Sequence, residues 1–367
     1  MAGLPALVIG GGPAGLATSQ QLAARRIPHL VLEGGDVVGY TWAHLYESLR
    51  LHTGKHMSSL PGLAFPRSAP LFVPRALFWE YLRDYAQRFG LPIETQCQVS
   101  GATYEGGAWR VQFDGREIDA DALVVASGIV ANPRRPHLPG MERFEGRLLH
   151  SVDYRRPEAF VGRRVLVVGV GNSGAEIGSE IAHAGGTVTL AVRSGANVVP
   201  LTLLGLPIQY VSYWVRKLPR RLQDVLVAGV ATVTELRRGP PVLPRPGYSP
   251  LDAIPVIGFH LVDAIKAGLV RVRGGIAGFT ADGTRFADGT FEPFDDVILA
   301  TGFAPALDFL GDRVRRDAKG FALRDDRVTS ADQPRLFFVG HNYDATGGLY
   351  NIRVDSQLVA ARIARAG

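Results

Sequence analysis

With 367 residues the chain is long enough for two domains with separate cores. Hydrophobic residues make up 46% and charged ones 20%, and the net charge of +6, carried mostly by Arg, suits anionic dinucleotides; it lacks the basic stripe with interleaved aromatics that nucleic-acid binding asks for. The single cysteine, Cys97, excludes a disulfide framework and a C-x-x-C redox pair, and neither a nucleic-acid partner nor a metal site is expected.

Met1-Ala2-Gly3-Leu4-Pro5 has no basic leader region, and the apolar run that follows is already a strand, so a signal peptide is not expected. The apolar run from Val225 to Val233 is too short to span a bilayer, and a cytoplasmic location is the default expectation. Ala6-Leu7-Val8-Ile9 leads into Gly10-Gly11-Gly12-Pro13-Ala14-Gly15, which opens a helical segment from Ala14 to about Arg25. This is the strand–G-x-G-x-x-G–helix order of a dinucleotide site: a tight turn, close backbone approach to a pyrophosphate, and close helix–strand packing. Glu33 closes the next strand, His29 to Leu32, where a carboxylate accepts hydrogen bonds from ribose hydroxyls.

An irregular region rich in aromatics and His follows, with Tyr40, Trp42, His44, Tyr46, His52 and His56. Ala76 to Phe89 carries apolar residues on one helical face, read as core packing. The turn Asp114-Gly115 joins two strands of a hairpin, and Asp121 to Gly128 is a buried strand ending in Ala-Ser-Gly. Three prolines between Pro133 and Pro139, then Arg155-Arg156-Pro157, mark a passage between halves.

The second half repeats the plan. Val165-Leu166-Val167-Val168 leads into Gly169-Val170-Gly171-Asn172-Ser173-Gly174, and the next strand ends in Arg193-Ser194. A guanidinium and a hydroxyl at that place bind a 2′-phosphate that a carboxylate would repel, so the first site suits the ADP half of FAD or NAD and the second suits NADPH. Turns at Asp282-Gly283 and Asp288-Gly289 precede a strand, Asp296 to Leu299, that ends in Ala300-Thr301-Gly302-Phe303. Duplication on this scale means two domains, not a solenoid. The expected fold class is α/β: two Rossmann-like dinucleotide-binding domains, the NADPH domain inserted into a discontinuous FAD domain. The expected boundaries are 1–155 for the first FAD part, 156–295 for the NADPH domain and 296–367 for the return segment. Leu203 to about Leu236 is dense in apolar residues with Lys217, Arg220 and Arg221 among them, and three readings stay open: a substrate lid, a membrane-surface patch, or interface packing.

Phe144-Glu145-Gly146-Arg147-Leu148-Leu149-His150-Ser151-Val152-Asp153-Tyr154 resembles the F-x-G-x-x-x-H-S-x-x-Y fingerprint of class B flavin-dependent monooxygenases, and Leu299 to Phe303 resembles their A-T-G-F/Y strand end. Gly169 to Gly174, Leu49 to Lys55, Pro250-Leu251-Asp252 and Ile265 to Gly268 are similar to segments of the YUCCA-type branch. His52 stands where an Asn commonly sits in the animal-type flavin monooxygenases, and the chain is short for the family. The resemblance implies FAD and NADPH as cofactors, a C4a-(hydro)peroxyflavin formed with O2, and oxygenation of a small molecule by N- or S-oxygenation, Baeyer–Villiger insertion or oxidative decarboxylation. It makes His52 and Asn172 the catalytic candidates. The cofactor-binding set is Gly10, Gly12, Pro13, Ala14, Gly15, Glu33, Trp42, His52, Lys55, Val99, Ser127, Gly128, His150 and Ser151, then Gly169, Gly171, Asn172, Ser173, Gly174, Arg193, Ser194, Thr301, Gly302, Phe303, Gly347, Gly348 and Leu349.

Two rivals stay open, together with the question of a homodimer. One is an FAD-dependent NADPH reductase serving an external acceptor, for which the lone cysteine rules out a disulfide route. The other is a non-catalytic dinucleotide sensor on the same fold.

Overall fold

The computed structural model describes residues 4–130, 132–342, 344 and 346–366; Met1, Ala2 and Gly3, on which the expectation of no signal peptide partly rests, lie outside them. The chain divides into two units, Met1–Asn132 with Phe303–Gly367, and Pro133–Gly302.

The first unit is built on a parallel sheet of five strands in the order Leu336–Phe338, Leu123–Val125, Ala6–Ile9, His29–Leu32, Ile93–Glu94. Its strands are apolar at successive positions because both faces are covered. Ala6, Val8, Val31, Val124 and Phe337 enter one core cluster, and Leu7, Ile9, Leu32, Leu123, Val125, Leu336 and Phe338 enter the other. Each Val, Leu, Ile or Phe side chain among them, taken fully from water, contributes about 1.5–3 kcal/mol. Helices Pro13–Ala23, Arg75–Arg88 and Gly348–Ala366 supply the first cluster, and the antiparallel meander Val99–Glu105, Ala108–Phe113, Arg116–Ala120 the second.

The second unit repeats this with the order Arg147–His150, Asp296–Leu299, Arg164–Val168, Thr187–Ala191, Val270–Arg273, all parallel. A second meander, Ile276–Phe279, Gly283–Phe286, Phe291–Pro293, turns at the two Asp-Gly pairs. Here the expected boundaries need correction. Strand Asp296–Leu299 belongs to the second sheet, and the return to the first unit begins at Phe303; the stretch 133–155 also belongs to the second unit. The reason is electrostatic as well as apolar. Asp296 is fully buried and held by Arg147 at 2.6 Å and by Arg163, while Asp295 pairs with Arg164 at 2.6 Å. The hydrogen bond from Arg164 pulls the Asp295 carboxyl down to about 2, so this pair stays ionised through ordinary acid conditions.

After the first-unit strand Leu336–Phe338, His341 is enclosed by Phe338 and Phe321, ring centroids 5.1 and 5.7 Å away, and neither ring nitrogen has a hydrogen-bond partner among the described residues. Burial, helped by the Arg324 charge, pushes its imidazole down to about 3. The folded chain therefore keeps it neutral while the unfolded chain protonates it near pH 6.5. The stability this neutrality gives is fully present above pH 6.5 and drains as pH falls toward 3, at about 1.4 kcal/mol per pH unit. His341→Leu is expected to flatten the acid limb of stability in urea melts between pH 7 and pH 4; an unchanged limb would show that another group sets it.

No helix among the described residues is long and apolar enough to cross a membrane.

Candidate functional site

Each sheet presents the C-terminal end of its central strand to a glycine loop. Gly10 and Gly169 have φ of 106° and 105°, a region L side chains rarely adopt, and a Cβ on Gly10 would strike the Ala126 carbonyl as one on Gly169 would strike that of Ala300. At the third glycine, a Cβ on Gly15 would be driven into the Gly10 carbonyl oxygen, and one on Gly174 into that of Gly169. The middle glycines differ. A Cβ on Gly12 or Gly171 would meet nothing within 4 Å. Gly12 and Gly171 are also the N-caps of helices Pro13–Ala23 and Asn172–His183, and neither helix start has a side-chain cap. Open space beside a helix start with uncommitted N–H groups is a cradle for an anion, and the residues present fit a pyrophosphate at both places.

In the first unit Glu33 is tied to the loop. Its carboxylate accepts the Gly11 N–H at 2.6 Å and the Gly35 N–H at 2.8 Å. Burial raises its pKa, with the two N–H bonds pulling the other way. Gly39 donates to the Gly11 carbonyl and caps helix Tyr40–His44, which places Trp42 edge-on to Phe78 at 4.4 Å. Arg75, which sequence reasoning passed over, fixes that helix by donating to the carbonyls of Trp42 and Ala43. Half-buried His52 lies on strand Arg50–Gly54, and its neighbour Thr53 comes within 2.5 Å of where a Cβ on Gly347 would be. The strand carrying His52 is thereby brought to the start of helix Gly348–Ala366 at Gly347, Gly348 and Leu349. Ser127 donates to the Ala306 carbonyl at 2.6 Å, and Gly128, at φ 83°, faces open space.

Two of the first-unit candidates are engaged elsewhere. The Lys55 ammonium donates to the carbonyls of Pro66, Arg67 and Ala69 at 3.3, 2.9 and 2.6 Å, which uses all three of its protons to hold that loop. The Val99 side chain lies in the core beside Cys97 and Leu32. The Lys55 contacts reach a loop 11 to 14 positions further on, which no sequence pattern marks.

In the second unit His150 is fully buried. Its Nε2 faces the Gly302 carbonyl at 3.2 Å and its Nδ1 accepts the Val152 N–H at 3.2 Å, which assigns the proton to Nε2. Burial, then the Arg135 charge, lowers its pKa, so the ring is neutral. The buried Ser151 hydroxyl has no hydrogen-bond partner among the described residues. Thr301 donates to the Arg134 carbonyl at 2.5 Å, and Gly302 at φ 81° faces open space, matching Ser127 and Gly128 in the first unit. Phe303 opens the return segment. The Asn172 amide spans two backbone groups: Nδ2 donates to the Pro255 carbonyl at 3.0 Å and Oδ1 accepts the Ile257 N–H at 2.8 Å. These two bonds tie the start of helix Asn172–His183 to the backbone at Pro255 and Ile257. Ser173 is half-buried on the same helix start. Arg193 and Ser194 are exposed after strand Thr187–Ala191, and Arg193 has no ion-pair partner among the described residues. The neighbouring Arg273 is taken by Glu292 at 2.5 Å.

The profile of the flavin-binding monooxygenase-like family matches residues 33–324. The rice protein named indole-3-pyruvate monooxygenase YUCCA1 is 37% identical over 309 residues, covering 81% of this chain and 76% of its own. The Arabidopsis thaliana protein named probable indole-3-pyruvate monooxygenase YUCCA1 is 35% identical, covering 81% and 75%. Among solved structures, a flavin-containing monooxygenase from Stenotrophomonas maltophilia is similar with a TM-score of 0.80 at 25% identity, over 100% of this chain and 99% of that one. A cyclohexanone monooxygenase shares the fold at a TM-score of 0.73 and 20% identity. With two Rossmann-like units, each ending its central strand in an anion cradle, the chain belongs to the flavin-binding monooxygenase-like family and is a flavin-dependent oxidoreductase.

Proposed function

We propose that this flavin monooxygenase carries FAD in its first unit, takes NADPH in its second, and uses O2 to oxygenate a small carbonyl-bearing molecule, with an aromatic 2-oxo acid as the favoured class. The observation that carries the reading is the contrast between two otherwise alike units: the first loop is bonded to the Glu33 carboxylate, whereas in the second unit the strand after the loop is followed by Arg193, an exposed guanidinium with no ion-pair partner among the described residues. The substrate class rests on the names of the plant relatives.

Bound FAD supplies the redox chemistry, accepting hydride from NADPH and activating O2. The chain's own residues bind and orient. The N–H groups at Gly12 and the helix start hold the FAD pyrophosphate, and Glu33, whose oxygens keep lone pairs beyond their two N–H bonds, accepts ribose hydroxyls. Gly347, Gly348 and Leu349 offer helix-start N–H groups to flavin carbonyls, with His52 nearby as a polar contact. Gly171 and the helix start after it hold the NADPH pyrophosphate, Arg193 and Ser194 take the 2′-phosphate, and Ser151 and Thr301 line the second strand ends. Asn172 keeps that loop in place through the backbone at Pro255 and Ile257.

For a 2-oxo acid, transfer of one oxygen atom gives the shortened acid and CO2, with the other atom leaving as water and NADPH oxidised. Under 18O2 with NADPH and an arylpyruvate, the acid product is expected to carry one labelled oxygen. Unlabelled product, or hydrogen peroxide alone across arylpyruvates, ketones and amines, contradicts the reading.

A further inference from the structure

Helix Arg220–Arg238 buries none of its 19 residues. Leu222, Val225, Leu226, Gly229, Val233 and Leu236 fall at i, i+3, i+4, i+7, i+11 and i+14, one apolar arc of roughly 100° on the helix wheel. That arc faces outward, with Val225 67% and Leu236 82% exposed. Arg221 and Arg237 flank it on either side, neither with an ion-pair partner among the described residues. Just before it, Trp214 is 66% exposed and Lys217 lies over its ring at 4.5 Å. The hairpin that leads in bears Leu204 and Leu206, both exposed. Water-facing apolar surface of this extent is costly unless something covers it.

The charge says what covers it. Between Leu204 and Arg245 there are seven cations and two carboxylates; with Asp252 paired to Arg220 and Asp263 paired to Arg238 from outside the segment, the local net charge is 7 − 4 = +3. A second copy would bring the same positive charge to the same stripe, and like charges across an interface repel. Nucleic acid would leave the central apolar stripe uncovered. A surface that is anionic at its rim and apolar beneath satisfies both features: cationic side chains meet headgroups while Leu, Val and Trp enter the acyl boundary.

We propose that helix Arg220–Arg238, with the Trp214 turn before it, is an interfacial helix that lays this protein on an anionic lipid bilayer without crossing it. This goes beyond the oxygenation reading and does not depend on it.

The test is sedimentation of the full-length, flavin-loaded protein with vesicles of phosphatidylcholine alone and of phosphatidylcholine with a quarter phosphatidylglycerol. Binding to the anionic vesicles, weakened by high salt, is expected. Leu226→Glu with Val233→Glu is expected to abolish it. Arg221→Glu with Arg237→Glu is expected to weaken it by roughly tenfold or more, each cation near an anionic surface being worth about a fivefold change in partitioning. Flavin content and melting temperature serve as folding controls, and all four positions are exposed. Failure to bind anionic vesicles, or variants that bind like the parent, overturns the proposal. So does light scattering that finds a parent dimer split by the Leu226 and Val233 changes, since the stripe would then belong to a second copy.

Discussion

Gly12→Ala is expected to fold and melt like the parent chain yet purify without flavin, whereas Gly15→Ala is expected to lose both flavin and fold. The two glycines sit three residues apart in one loop, so the contrast isolates their roles. A Cβ on Gly12 meets no atom within 4 Å, and φ at this N-cap is −81°, accessible to any L residue. Its methyl group therefore costs the empty protein little, but occupies the space against which a pyrophosphate would lie. At Gly15 the added carbon collides with the backbone oxygen of Gly10, which cannot swing aside as a side chain could. Relief requires helix Pro13–Ala23 to move off strand Ala6–Ile9, at a cost of about 3 kcal/mol or more. Flavin absorbance of the purified variants and their thermal melts read the two effects separately. A yellow Gly12→Ala protein with parental affinity would place the pyrophosphate elsewhere.

The second large effect falls on the choice of reductant. Arg193→Ala is expected to lower kcat/KM for NADPH by about 10–100-fold, the worth of a charge-assisted contact to a phosphate at about 1.5–3 kcal/mol, while NADH turnover stays within about twofold. Arg273 and Arg271, on the next strand of the sheet, are both drawn to Glu292. Steady-state rates with the two nucleotides decide it, and an unchanged ratio assigns the preference to another group.

How far the sequence carries depends on the range of the interaction concerned. The glycine loops are legible because their constraints are local: a left-handed φ at Gly10 and Gly169 and no room for a side chain at Gly15 and Gly174. Glu33 is legible because a strand of fixed rise delivers the residue after it to the preceding loop, where its carboxylate accepts the Gly11 N–H. The Asp-Gly turns give both meanders for the same reason. Strand Asp296–Leu299 is a different matter, since a short apolar run suits either parallel sheet equally. Its sheet is decided by Asp296 meeting Arg147 and Arg163, partners 149 and 133 positions away. The hydrogen bonds of Lys55 and Asn172 are not legible, because their partners are backbone groups in segments that carry no pattern. Helix Arg220–Arg238 shows the converse: its amphipathic stripe is plain in the sequence, and only the structure reveals that among the described residues nothing buries it.

The measurement that bears most directly on the account is an anaerobic titration of the purified protein with NADPH, followed at the flavin band. A yellow protein bleached by one equivalent of NADPH, and by NADH only at far higher concentration, is the result expected from two nucleotide cradles of opposite preference. A colourless protein that takes up no FAD, or a yellow one that NADPH leaves unbleached, would contradict it.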